Sequence, residues 1–229
     1  KFDGISFTVF RSSDKENSLG CNIISSLVES DNGELYVGTN DGLYIMSLQD
    51  ESFESLELKL GIFSKMINSI TSLLLDADGM LWITTMSQGV FKYDPDQVVL
   101  SRVRSIAYDF TKTRTWVTFQ DRSGSIWVGT RVGLFRYNVS NNLLEPVECL
   151  VDYGNNSEKV ILTIFEDGKG DLWLGTWSDG VLFYNKQQNK TFSYCNHKES
   201  DSYYITHIRS FLQYDHSHLL IGADDGLYL

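Results

Sequence analysis

Gly170-Asp171-Leu172-Trp173-Leu174-Gly175-Thr176, followed by Gly180-Val181-Leu182, decides the fold because the chain writes this stretch five times. It stands at Gly33-Glu34-Leu35-Tyr36-Val37-Gly38-Thr39 with Gly42-Leu43-Tyr44, and at Gly79-Met80-Leu81-Trp82-Ile83-Thr84-Thr85 with Gly89-Val90-Phe91. It stands again at Gly124-Ser125-Ile126-Trp127-Val128-Gly129-Thr130 with Gly133-Leu134-Phe135, and in degraded form at His218-Leu219-Leu220-Ile221-Gly222-Ala223 with Gly226-Leu227-Tyr228. The anchors Tyr36, Trp82, Trp127, Trp173 and Leu220 are 46, 45, 46 and 47 residues apart. A fixed period of this length is the signature of a repeat architecture.

Working outward from the anchor, each unit reads as strands. Its apolar segments are short, rich in β-branched and aromatic residues, and bounded by Gly, Asp, Asn and Ser. One strand precedes the anchor (Ile67–Leu75, Val160–Phe165) and leads into a turn such as Asp76-Ala77-Asp78-Gly79. The anchor strand is second, Leu43–Met46 or Val90–Tyr93 the third, and Phe53–Leu58, Val98–Val103 or Thr191–Tyr194 the fourth. Four antiparallel strands per unit of about 45 residues predict a β-propeller blade. A parallel β-helix turns in fewer residues and needs no three antiparallel turns per unit. Residues 1–229 are therefore expected to form one all-β propeller domain or part of one. Gly38, Gly129, Gly175 and Gly222 are expected where one blade approaches the next, with Thr84 making the second blade pack differently. Ser6-Phe7-Thr8-Val9-Phe10 aligns with a fourth strand and is a candidate to complete the last blade and close a five-bladed ring. Five blades of a longer ring would leave the same ends.

The composition agrees with a packed core. Of 229 residues, 42% are hydrophobic and 13% aromatic, with 18 Gly and 2 Pro, which excludes disordered and collagen-like chains. The net charge of −11 has the wrong sign for a phosphate-backbone binder and repels an anionic membrane surface. No apolar run is long enough to span a bilayer and no signal peptide opens the chain, so nucleic acid and membrane contact are not expected. Cys149 and Cys195 lie at equivalent places, expected on diverging outer strands, which predicts free thiols.

The consensus Asn-x-Ile-x-x-Leu-x-Asp-x-x-Gly-x-Leu-Trp-Ile-Gly-Thr-x-x-Gly-Leu-x-x-Tyr resembles the two-component regulator propeller repeat. Its best copies here run from Ile70 to Tyr93, Thr115 to Tyr137 and Ile161 to Tyr184. Phe7-Thr8-Val9-Phe10-Arg11, with Asp14, Asn17-Ser18-Leu19 and Asn22-Ile23-Ile24, is similar to the family's connector. The resemblance implies seven-bladed rings and hence a propeller fragment, with a closed five-bladed ring as the alternative. It also implies a periplasmic sensor domain of an inner-membrane hybrid two-component histidine kinase. Receptors of this kind detect glycan fragments in gut Bacteroidetes such as Bacteroides and switch on polysaccharide utilisation genes; the kinase itself is not in this segment. The partners implied are an oligosaccharide and a second receptor copy in a homodimer.

No nucleophile elbow, phosphate loop or zinc motif is present, so no catalytic residue and no cofactor are expected. His216-x-His218 has only Asp215 nearby, and the Asp-rich turns lack the further ligands of a calcium loop, so no metal is expected. Binding is sought in the loops between second and third strands, which differ in every unit and should ring one rim. They offer Asn40-Asp41, Met86-Ser87-Gln88, Arg131-Val132, Trp177-Ser178-Asp179 and Asp224-Asp225. Trp177 is the first candidate, because an aromatic face stacks on a sugar ring. Arg131, Asn40, Gln88, Asp179 and Asp224 follow as hydrogen-bonding groups. Two alternatives stand beside the sensor: a scaffold for dimerisation or protein binding, and a propeller lyase or hydrolase using Asp41, Asp179 and Asp224.

Overall fold

The computed structural model describes residues 1–13, 15, 17–60, 67–150, 159–194 and 205–229. These residues form five antiparallel sheets in which strand order follows chain order. Blade 1 comprises β1 (Ile24–Glu29), β2 (Glu34–Thr39), β3 (Gly42–Ser47) and β4 (Phe53–Ser55). Blade 2 comprises β5 (Ile70–Leu75), β6 (Leu81–Thr85), β7 (Val90–Asp94) and β8 (Val99–Val103). Blade 3 has β9 (Thr115–Gln120), β10 (Ile126–Thr130), β11 (Gly133–Asn138) and β12 (Leu143–Pro146), and blade 4 has β13 (Ile161–Glu166), β14 (Leu172–Thr176), β15 (Val181–Asn185) and β16 (Lys190–Tyr194). β17 (Ile208–Gln213), β18 (Leu219–Ala223) and β19 (Gly226–Tyr228) make blade 5. The first strands β1, β5, β9, β13 and β17 touch in succession, which makes them the inner strands of a propeller.

The expected fourth strand Phe53–Leu58 stops at Ser55, and Leu56–Lys59 forms a short helix. Leu and Lys favour a helix, and the helical turn buries Leu56 to 1% exposure. Cys149 lies in a 3-10 turn (Glu148–Leu150) after β12, not on an outer strand; it is a free thiol, as is Cys21, while Cys195 lies outside the described residues. Ser6–Phe10 does not complete blade 5, since β19 pairs with β18 alone among the described residues. Instead Phe2 bridges Phe7, and Phe10 packs edge-on against Phe53 of blade 1. No described helix is long and apolar enough to cross a membrane.

The core lies between blades. Tyr36, Leu43 and Ile45 of blade 1 meet Ile70, Leu81 and Tyr93 of blade 2 in one buried cluster, and similar clusters join blades 2 and 3, and 3 and 4. The anchors do the joining: Tyr36 packs edge-on against Tyr93, Trp82 against Tyr137 and Trp127 against Tyr184, each a third-strand tyrosine of the next blade. Such pairs contribute about 0.5–1.5 kcal/mol beyond the area they bury. Trp173 differs. It is half-buried and packs on Phe183 and Tyr194 of its own blade.

A turn aspartate holds each of the three anchor tryptophans. Asp76 Oδ2 accepts from Trp82 Nε1 at 2.7 Å, Asp121 from Trp127 at 2.9 Å and Asp167 from Trp173 at 3.1 Å. The other oxygen accepts two backbone N–H groups of the hairpin, which turns through Gly79, Gly124 or Gly170 at φ near +80°. These aspartates therefore build turns, as their recurrence suggested. Asp121 is tied further by Lys186 of blade 4, whose Nζ donates 2.9 Å bonds to both Asp121 and Glu166. Burial raises the Asp121 pKa, but bonds from Ser123, Lys186, Trp127 and Ser125 outweigh it and hold it near 2.

The glycine expectation is met at three places. A methyl on Gly38 would lie 2.8 Å from Ile70 Cγ2, on Gly129 2.9 Å from Ile161 Cγ2, and on Gly175 2.7 Å from Ile208 Cγ2, each isoleucine opening the next inner strand. At Gly222 the near neighbour is Ser210 of its own blade. At the second interface Thr84 faces an inner strand that opens with Thr115. Thr71 Oγ1 links the two, hydrogen bonding Thr84 Oγ1 at 2.9 Å and donating to the Thr115 carbonyl at 2.8 Å.

Candidate functional site

Each inner strand carries a bulge at the same point. Ile24 pairs with Thr39 and Ser26 with Gly38, which leaves Ser25 unpaired, and the same shift leaves out Thr71, Trp116, Leu162 and Arg209. A bulge re-aims the extra side chain and often stands beside a functional site. Here it brings Trp116 and Arg209 to Trp177 in the loop between second and third strands of blade 4. Backbone bonds fix the rim: Arg131 N donates to Arg114 O, Trp177 N to Val160 O, and His207 N to Trp177 O.

Trp177 is 42% exposed at the centre of this arrangement. Its ring stacks near-parallel to Trp116 at 6.4 Å, stands edge-on to His207 at 4.2 Å, and lies under the Arg209 guanidinium at 5.7 Å. It thus packs against blade 5 and also faces solvent. Arg114, Trp116, Arg131, Val160 and Trp177 line a cavity of about 260 Å³ between blades 3 and 4.

Two of the six sequence candidates, Trp177 and Arg131, therefore share a cavity. Asp224 connects to them indirectly. Arg209 grips its carboxylate through bonds of 2.7 and 3.0 Å, and this contact holds the Asp224 pKa below its ordinary value. Gln88 lies elsewhere: its Oε1 accepts from Asn68 N at 2.7 Å, and it lines a separate cavity with Tyr108 and Phe110. Asn40 sits on blade 1 at an exposed position, its N–H donating to Ile23 O. Asp179 closes the Trp177 loop, its N–H donating to Thr176 Oγ1 at 2.8 Å.

Sequence reading missed Arg114, Trp116, His207 and Arg209 because it took only one set of loops. The signal was present in the inner-strand alignment, where Trp116 and Arg209 occupy a column otherwise filled by Ser25, Thr71 and Leu162. His218 Nδ1 is engaged by Asp215 at 2.8 Å, and no group of three or more metal-ligating side chains occurs among the described residues.

Bulged inner strands, clamped hairpins and inter-blade cores define a β-propeller of four-stranded blades. More particularly, the model of one propeller family, Two component regulator propeller, matches residues 64–87 and 156–178. Histidine kinase P4 of Formosa agariphila is 27% identical over 186 residues, covering 75% of this chain and 13% of that protein. The extracellular domain of a hybrid two-component system of B. thetaiotaomicron superposes with a TM-score of 0.71 at 21% identity, covering 90% of this chain and 26% of that one. Virginiamycin B lyase of Staphylococcus aureus superposes with a TM-score of 0.59 at 8% identity, over 90% of this chain and 68% of the lyase. The two structural likenesses are likenesses of fold. The chain spans about an eighth of the curated relative's length and about a quarter of the B. thetaiotaomicron domain's.

Proposed function

We propose that this chain is the ligand-binding part of a periplasmic sensor belonging to a hybrid two-component histidine kinase. In this reading it binds a glycan-derived oligosaccharide, and the kinase controls polysaccharide utilisation genes. The observation that carries the reading is the rim cavity, where Trp177 offers a half-exposed aromatic face beside Trp116 and two arginines. An indole face takes the apolar side of a sugar ring, and guanidinium groups donate to its oxygens. A signal follows if the sugar binds one receptor state better than the other, by as much as that difference in affinity allows.

Binding is favoured over catalysis. Asp224 is held by Arg209, and Asp41 accepts from Tyr44 Oη at 3.2 Å, so two of the three rim carboxylates considered for hydrolysis are tied to neighbours.

The test is a thermal melt of the chain against a panel of plant and host oligosaccharides. A ligand at 100 times its dissociation constant adds about 2.7 kcal/mol of stability. One selective upward shift, abolished by Trp177→Ala, is the expected result. A shift that survives Trp177→Ala would move the site elsewhere, and no shift with any sugar would leave the dimerisation scaffold as the better reading.

A further inference from the structure

We infer that the rim cavity between blades 3 and 4 recognises an acidic sugar residue, one bearing a carboxylate or a sulfate. This rests on the sugar-binding reading above and adds the chemical class of the ligand. The chain has 30 acidic and 19 basic residues, yet among the described residues the cavity lining contains Arg114 and Arg131 and no Asp or Glu. Local charge of this kind opposes the total, and a concave site bounded by low-dielectric indole walls concentrates its field on whatever enters.

Arg114 carries the argument. It is exposed, immediately precedes the inner strand of blade 3, and its side chain has no hydrogen-bond or ion-pair partner among the described residues. Arg209, on blade 5, shows the alternative: its guanidinium is occupied by two bonds to Asp224. The rim thus holds one arginine paired internally and another presented to a cavity. A planar guanidinium donates two parallel N–H bonds to a carboxylate or sulfate, a geometry that an isolated hydroxyl does not match.

A second observation points the same way. The Trp116 indole N–H is buried with no acceptor among the described residues, although buried donors are almost always paired. A small movement of this ring on ligand entry would give an anionic oxygen a further donor beside Arg114. The cavity volume of about 260 Å³ suits one sugar ring, since sites for larger molecules run from about 300 to 1,000 Å³. The acidic ring would sit in the cavity, and the rest of the oligosaccharide would lie along the rim over Trp177.

The test uses matched glycan pairs that differ only in charge: oligogalacturonate and its methyl ester, and a sulfated glycosaminoglycan tetrasaccharide and its desulfated form. Each is titrated calorimetrically onto the 229-residue chain. At least one acidic member is expected to bind tenfold or more tightly than its neutral partner. Arg114→Gln should remove that difference while leaving the melting temperature unchanged, and added salt should weaken the acidic ligand alone. Binding by uronates but not sulfates, or the reverse, identifies the acid. Equal binding of charged and neutral members would overturn the acidic specificity and leave sugar binding standing. Arg114-dependent binding of inorganic sulfate with no response to any of the four glycans would sustain an anion site and overturn the sugar. No binding by any probe would overturn both.

Discussion

Three blade interfaces are closed by a glycine facing an isoleucine, and one, between blades 2 and 3, by two threonines. In the first kind, Ile70, Ile161 and Ile208 fill space that a Cβ on Gly38, Gly129 or Gly175 would occupy, and the contact is apolar. In the second, Thr84 stands in place of the glycine and Thr115 in place of the isoleucine, so both positions carry a hydroxyl. The hydroxyls are not left idle. Thr115 Oγ1 donates to Thr85 O at 2.8 Å and accepts from Thr85 N at 3.1 Å, while Thr84 bonds through Thr71. The difference teaches that a polar pair can replace the glycine–isoleucine contact once every hydroxyl is satisfied.

The strongest way to break the comparison is to place a Thr84-like residue opposite an isoleucine. Gly129→Thr should cost about 3 kcal/mol by overpacking against Val117 and Ile161, read from the midpoint of a urea melt. An unchanged midpoint would show that the blades slide apart freely.

A second test asks what charge adds at the interface of blades 3 and 4. The folded pKa of Asp121, near 2, lies below its ordinary 3.8, so its contribution is present above about pH 4 and is lost as pH falls through 2. That contribution is about 2 kcal/mol. Asp121→Asn should therefore be clearly less stable than the parent at pH 6, with the gap narrowing towards pH 2; a constant gap would remove the charge from the account.

The smallest effect sharpens the threonine pair itself. Thr84→Gly and Thr115→Ile should each destabilise, and together should restore a glycine–isoleucine contact, with a favourable coupling of about 1 kcal/mol in a double-mutant cycle. Additive effects would mean that the two residues are not a pair.

The repeat made most of this legible in advance. A period near 46 residues, anchored by Tyr36, Trp82 and Trp127, located the sheets, the turns and the glycines, because close-packed blades restrict those positions to few residue types. The short helix at Leu56–Lys59 was hidden, since alternating Leu and Glu fits a strand as well as one helical turn. The site was half visible for a related reason. Trp177 and Arg131 lie in loops whose variation stands out, whereas Trp116 and Arg209 sit inside strands where a bulge, not a period of two, decides where they point.

Lys186 bears on how the array comes apart. In a chain of repeats, stability is a sum of repeat terms and nearest-neighbour terms, and unfolding begins at the weakest neighbour coupling. One ammonium bridges Asp121 of blade 3 and Glu166 of blade 4, and Arg122 N donates to that same Glu166 at 2.8 Å. No such bridge joins blades 2 and 3 among the described residues. Blades 3 and 4 should thus exchange their amide hydrogens as one cooperative unit, separately from blades 1 and 2. The rim cavity lies between those two blades, so it would still be assembled in partly unfolded molecules that have already lost the first two.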